Sequence, residues 1–144
     1  MRPTFVCMEH PSGLTLEHLG IAVADLDAAE RIYTDLLGVP PYKREEVADE
    51  NVLTSFFATA NGAKIELLAS TDPDGPIGRH ISRRGVGLHH IAFGVADLEA
   101  EMARLEGKGY RRISGPKQGA DGKRIAFFHP GDTGKVLVEL CADA

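Results

Sequence analysis

The sequence predicts an α+β protein: two tandem β-α-β-β-β modules whose strands form one sheet curled around a pocket. Three observations carry that expectation. The segment Leu16–Ala28 recurs as Leu88–Ala100 at an offset of 72 residues, with seven of thirteen positions identical and His18 lying over His90. Later in each copy, Lys64-Ile65-Glu66-Leu67 lies over Leu137-Val138-Glu139-Leu140 at an offset of 73, and Ser55-Phe56-Phe57 over Ala126-Phe127-Phe128 at 71. Within each copy the apolar pattern runs with period two, then with helical spacing, then as short strand-like runs between turn residues.

Taken in order, Leu19, Ile21 and Val23 alternate with His18, Gly20 and Ala22, the mark of a strand with two different faces. Ile91, Phe93 and Val95 alternate likewise with His90, Ala92 and Gly94. One face is bulky and suits packing under a helix; the other sets a histidine beside side chains of almost no size, which implies a cavity. Asp25 and Asp97 are expected N-caps. From Asp25 a helix with Leu26, Ala29, Tyr33, Leu36 and Leu37 on one side stops at Gly38, with Pro40 and Pro41 behind it. From Asp97 a helix runs through Leu98, Met102 and Leu105 to Gly107 or Gly109. Strands are expected near 42–47, 52–59 and 63–69, with Asn61-Gly62 as a hairpin turn, and near 111–114, 124–128 and 135–141. The domain is expected to span 16–144, with one module at about 16–70, a linker at 71–87 holding a short helix at 76–84, and a second module at about 88–142. Residues 1–15 have no counterpart and read as a tail or an added edge strand. Each half is near the lower size limit for a stable core, so the two are expected to share one.

At 144 residues this is one domain's length. A hydrophobic content of 43% and a mean hydropathy of −0.13 are ordinary for a soluble protein. No apolar run approaches a membrane span and the N-terminus lacks a secretory pattern, so a cytoplasmic protein without membrane association is expected. The net charge of −5 argues against general nucleic-acid binding. Cys7 and Cys141 lack metal-site spacing and read as free thiols.

A single histidine or glutamate inside a strand is usually structural. Here both types recur in register across a duplication, so halves packed about a pseudo-twofold axis bring His18, Glu66, His90 and Glu139 together. Two imidazoles and two carboxylates suit a divalent metal such as Co²⁺, Mn²⁺, Ni²⁺, Zn²⁺ or Fe²⁺ and leave positions for water or substrate. His89, on the alternate strand position, is expected to face away from the pocket. His129 precedes a turn and suits a loop or the pocket rim, while His80 and His10 are expected to be solvated.

With those residues in place, the chain resembles the vicinal oxygen chelate superfamily and, within it, the methylmalonyl-CoA epimerases, from about Leu16 to Leu140. The residues that carry the resemblance are His18 in His-Leu-Gly-Ile-Ala-Val, Glu66 in Ile-Glu-Leu-Leu, His90 in Gly-Leu-His-His-Ile-Ala-Phe and Glu139 in Val-Leu-Val-Glu-Leu. Gly75-Pro76-Ile77 and Gly122-Lys123-Arg124-Ile125-Ala126-Phe127-Phe128-His129-Pro130 point more narrowly to the epimerases. The resemblance implies the vicinal oxygen chelate fold, one divalent ion per chain (Co²⁺ first, then Mn²⁺, Ni²⁺ or Zn²⁺) on His18, Glu66, His90 and Glu139, and a homodimer. It implies epimerisation of methylmalonyl-CoA, or also ethylmalonyl-CoA, by α-proton abstraction, with Glu139 as the first base and Glu66 as the second. Lys117, Lys123, Arg124, Arg83 and Arg84 are candidates for the phosphates of the acyl-CoA thioester. Many such epimerases carry Gln at the position of Glu66 and an acid where this chain has Thr54. The rival readings are a glyoxalase I-type lyase, which usually has Arg at the place of Ala22, an extradiol dioxygenase with one fewer ligand, and a non-catalytic drug-binding protein of the same fold.

Overall fold

The computed structural model describes residues 13–144. The first copy comprises β1 (Thr15–Val23), α1 (Leu26–Leu37), β2 (Lys43–Val47), β3 (Val52–Ala58) and β4 (Lys64–Ser70). After α2 (Pro76–Arg84) the second copy comprises β5 (Gly87–Gly94), α3 (Leu98–Gly107), β6 (Arg112–Gln118), β7 (Lys123–Phe128) and β8 (Leu137–Asp143). Cys7, His10 and the edge strand proposed for the tail lie outside the described residues, while Thr15 already belongs to β1.

The caps form as expected. Asp25 and Asp97 each accept a hydrogen bond from the backbone N–H three residues on, Ala28 and Ala100, at 3.0 Å. Gly38 takes the left-handed conformation that ends α1, with φ of 73°. The prolines stand at the helix margins: Pro40 and Pro41 lie beyond the end of α1, and Pro76 occupies the first turn of α2, where a missing N–H costs nothing.

The eight strands form one sheet in the order β2-β3-β4-β1-β5-β8-β7-β6. The duplication is visible in this order, since β2-β3-β4-β1 and β6-β7-β8-β5 are equivalent runs meeting at an antiparallel β1–β5 seam. β1 pairs in parallel with β4, and β5 with β8, and this places the glutamates. Gly20 is the partner of Glu66, and Ala92 the partner of Glu139. Paired residues share a face, so each carboxylate joins the face of the histidine two residues before its small partner.

The expectation of one core shared by the halves is corrected. Leu26, Ala29, Phe57 and Leu67 pack together under α1, joined by Ile21 and Val23; Leu98, Met102, Ala126, Phe128, Leu140 and Ala142 pack separately under α3. α1 and α3 each cover the outer face of their own half, α2 packs Ile77 against Ala22, Val52 and Leu68, and the inner face that the halves share carries the buried polar groups between apolar walls. Besides the seam, the halves are tied by Asp121 in the β6–β7 turn. Its carboxylate accepts from the Tyr42 hydroxyl at 3.0 Å, Lys43 at 3.2 Å and Lys64 at 3.1 Å, and its backbone N–H donates to Glu45 at 2.7 Å.

Candidate metal centre

The four residues read from the duplication meet on the inner face, and each is only 3 to 6% exposed. His18 Nε2 lies 3.0 Å from His90 Nε2, 3.3 Å from Glu66 Oε2 and 3.2 Å from Glu139 Oε2. His90 Nε2 is 4.0 Å from Glu139 Oε1. Donor groups of all four residues thus face one another at the seam, two from each half, with Glu139 approaching His18 and His90 through different oxygens.

Burial opposes charge on the His18 imidazole, but hydrogen bonding to Glu139 and Glu17 and the charge of Glu66 prevail, raising it to about 10. Burial lifts the Glu66 carboxyl to about 8, against the pull of His18. Burial, then the charges of His18 and His89, hold His90 well below the ordinary histidine value. The buried carboxylates draw a proton onto one imidazole while the other stays neutral. A divalent cation would take the place of that proton among the buried carboxylates, and the N₂O₂ donor set fits one. His18, Glu66 and His90 offer ligand atoms all within 4.8 Å of one another.

Room for this arrangement comes from Gly20, which in the sequence reads as the edge of an empty cavity. The space is filled by the His90 ring: a Cβ at Gly20 would stand 2.1 Å from His90 Cε1. Ala92, fully buried, is the cross-strand partner of His18 in the other half.

The expected orientation of His89 is corrected. It lines the same cleft as the four residues, and its Nδ1 is 2.8 Å from His90 Nδ1. The cause is a register shift: Gly20 pairs with His90 and Ile21 with Leu88, leaving His89 as a bulged residue that breaks the alternation. His80 is not simply solvated, because its ring packs edge-on against His89 with centroids 4.7 Å apart. His129 takes the loop role, its Nδ1 accepting from the Gly131 N–H at 2.9 Å. Nothing in the sequence singles out Glu17, whose alternate position gives no sign; a matching register shift turns it into the cleft beside His18. Cys141 lies near Glu17 and His18, but burial pushes its thiol up, and the S–H donates to the Phe93 carbonyl at 3.5 Å.

The cleft over these residues encloses roughly 660 Å³ including its open mouth, and Phe56, Leu68, Ile77, Ile125 and Phe127 form its apolar walls. Thr54 is fully buried on the same wall and donates its hydroxyl to the Glu45 carbonyl at 2.8 Å. Of the cationic candidates, Arg124 is excluded from the cleft, because it pairs with Glu99 of α3 on the outer face. Lys117 is paired with Glu50 and Lys123 with Asp143. Arg84 lines an adjoining cleft with Arg79, Arg83, His80 and His89, and these three arginines have no acidic partner among the described residues.

The family described as the glyoxalase/bleomycin resistance protein/dioxygenase superfamily matches residues 17–127, which includes both histidines and Glu66. The chain belongs to this superfamily. Within the superfamily it is 39% identical over 127 residues to an uncharacterized protein of Bacillus subtilis, covering 88% of this chain and 90% of that one. It is 38% identical over 128 residues to the ethylmalonyl-CoA/methylmalonyl-CoA epimerase of Cereibacter sphaeroides, covering 87% and 95%. Among solved structures, a Streptomyces coelicolor methylmalonyl-CoA epimerase variant in complex with 2-nitronate-propionyl-CoA superposes with a TM-score of 0.83 at 36% identity, covering 90% and 96%. The α+β fold of a curled eight-stranded sheet with three helices is that of these superfamily structures.

Proposed function

We propose that the protein is a metal-dependent methylmalonyl-CoA epimerase. The observation that carries this reading is the convergence of His18, Glu66, His90 and Glu139 at the floor of an apolar cleft, in a chain similar along nearly its whole length to epimerases of that name. These four residues would hold one divalent ion, which when bound supplies positive charge beside the carboxylate and thioester oxygens of the substrate as the α-carbon becomes an enolate. We take the ion to be Co²⁺, with Mn²⁺, Ni²⁺ and Zn²⁺ as alternatives.

Inverting the α-carbon needs a base on each face of the enolate plane. Glu139 and Glu66 come from opposite halves of a pseudo-twofold arrangement, and each reaches to within 3.3 Å of His18 Nε2. Glu139 and Glu66 are assigned one face each, and the enantiomer bound decides which of them removes the proton and which returns it. The Thr54 hydroxyl does not titrate near neutral pH and donates to the Glu45 carbonyl, which supports Glu66 as the second base, with a water held by Thr54 as the alternative. The apolar walls suit a methyl or ethyl substituent and keep water from the enolate. Arg79, Arg83 and Arg84 in the adjoining cleft suit the phosphates of coenzyme A.

The glyoxalase reading is disfavoured by Ala22. It is fully buried against Val52, Leu68 and Ile77, so an arginine there has no space. No helix among the described residues is long and apolar enough to cross a membrane; a cytoplasmic homodimer that binds no nucleic acid completes the proposal. The test is proton NMR of Co²⁺-loaded protein with (2R)- and (2S)-methylmalonyl-CoA in deuterated water. Interconversion with loss of the α-proton signal is expected. Much faster turnover of the glutathione hemithioacetal would replace this reading with a lyase.

A further inference from the structure

Each imidazole of the centre is met from behind by the residue that precedes it in the chain. His18 turns Nε2 toward Glu66, Glu139 and His90, while its Nδ1 lies 3.3 Å from Glu17 Oε1. His90 turns Nε2 to the same point, and its Nδ1 lies 2.8 Å from His89 Nδ1. In a regular strand neither contact is available, because neighbouring side chains point to opposite faces.

Both contacts depend on the β1–β5 seam. Leu16 pairs with Phe93 and His18 with Ala92, so Glu17 is an extra residue in β1; Gly20 pairs with His90 and Ile21 with Leu88, so His89 is an extra residue in β5. A bulge of this kind re-aims a side chain. Positions 17 and 89 are equivalent in the duplication, standing 72 residues apart. The seam therefore carries the same device twice, once behind each histidine. The residue types differ, so what the two halves share is the backbone irregularity and its direction.

We infer that Glu17 and His89 are the positioning residues of the two imidazoles, each holding its partner as the tautomer with hydrogen on Nδ1 and a lone pair on Nε2. This rests on the metal reading above. An Nδ1–H donated to a carboxylate or another acceptor fixes a ligand ring's orientation and raises its donor strength. Both partners are themselves held. Lys64 Nζ donates to the two Glu17 oxygens at 3.2 and 3.3 Å, and His80 packs its ring against that of His89. To accept from His90, His89 carries its own hydrogen on Nε2. The two sides are unequal in strength: a carboxylate accepts a charge-assisted bond and a neutral imidazole does not. His18 is therefore the stronger donor of the pair, and Glu17 the more costly partner to lose.

Calorimetric titration with Co²⁺ of the wild type, Glu17→Ala, His89→Ala, Glu17→Gln and His89→Gln tests this, with thermal unfolding of each metal-free form measured alongside. The alanine variants should bind Co²⁺ about 10- to 100-fold more weakly, Glu17→Ala the more affected, and the glutamine variants, which retain an acceptor oxygen, should recover part of the loss. In ¹⁵N-labelled protein loaded with Zn²⁺, slowly exchanging Nδ1–H protons of His18 and His90 should be seen. Glu17→Ala should remove only the first, and His89→Ala only the second. Wild-type Co²⁺ affinity in both alanine variants overturns the inference, as does weakened affinity with both Nδ1–H signals intact. If His90→Ala also binds Co²⁺ as the wild type does, the metal reading itself has failed. An alanine variant that does not fold leaves its glutamine counterpart to decide by the same two measurements.

Discussion

Adding a single methyl group at Gly20 should dismantle the centre without touching any of its four residues. Gly20 lies in β1 beside Glu66 and across the seam from His90. A Cβ there would stand 2.1 Å from His90 Cε1, 2.3 Å from Nδ1 and 2.6 Å from Nε2. Non-bonded carbons settle no closer than about 3.5 Å, so the ring must retreat by about 1.4 Å. It cannot retreat freely, because His89 stands 2.8 Å behind it. Metal–ligand distances tolerate deviations of about 0.2 Å, so a displacement of this size removes His90 as a ligand. Misplacement by about 1 Å costs on the order of 100-fold in rate, and Gly20→Ala should lose at least that much epimerisation together with most of its Co²⁺ affinity. Calorimetry with Co²⁺ and NMR-monitored epimerisation measure the two effects, with circular dichroism to establish that the variant is folded. Gly107→Ala at the end of α3, where an added Cβ meets nothing within 4 Å, is the control; it should leave binding unchanged and gain about 0.4–1 kcal/mol of stability. A folded Gly20→Ala protein with wild-type affinity and rate would refute the placement of His90 over Gly20.

Glu139→Gln and Glu66→Gln should each lower epimerisation by about 10²–10⁴-fold while still exchanging the α-proton of one enantiomer in deuterated water; elemental analysis must show that both variants keep their metal. Phe128→Ala, at a fully buried position under α3, should cost about 3–5 kcal/mol in urea unfolding. The metal-free protein should grow easier to unfold as pH rises from 6.5 to 10. The folded chain raises His18 from 6.5 to about 10 and Glu66 from 4.5 to about 8, so it holds protons that the unfolded chain has released. That stabilisation is complete below the unfolded values and is lost as pH climbs through the folded ones. His89 and His90, shifted downward, act only below this window. Urea midpoints of metal-free protein at pH 7 and pH 9 measure the effect, and equal midpoints would contradict it.

Much of the molecule was legible in the chain because it is written there twice. Recurrence of His18 as His90 and of Glu66 as Glu139 identified four side chains, and the parallel pairings of β1 with β4 and β5 with β8 put all four on one face. The capping aspartates, Gly38 and the helix beginning at Pro76 could be read because each depends on residues within a few positions of itself. The separate cores could not. Chain length says how much surface must be buried, while the curl of the sheet decides that α1 and α3 each cover their own half and that the shared face becomes a cleft with a polar floor and apolar walls.

Glu17, Gly20 and His89 show where local reading stops. Period-two alternation is a property of one strand, and by that rule Glu17 and His89 point away from the cleft. Which residue becomes the extra one in a bulge depends on hydrogen bonds to a partner strand some 70 residues away, and no local pattern encodes that pairing. Gly20 likewise reads as empty space until the opposite strand brings the His90 ring across it. The sequence by itself determined which groups the centre has and on which elements they ride. The register of the β1–β5 seam decided how those groups face one another and what stands behind them, because side-chain direction in a sheet is set by pairing between strands and not by either strand alone.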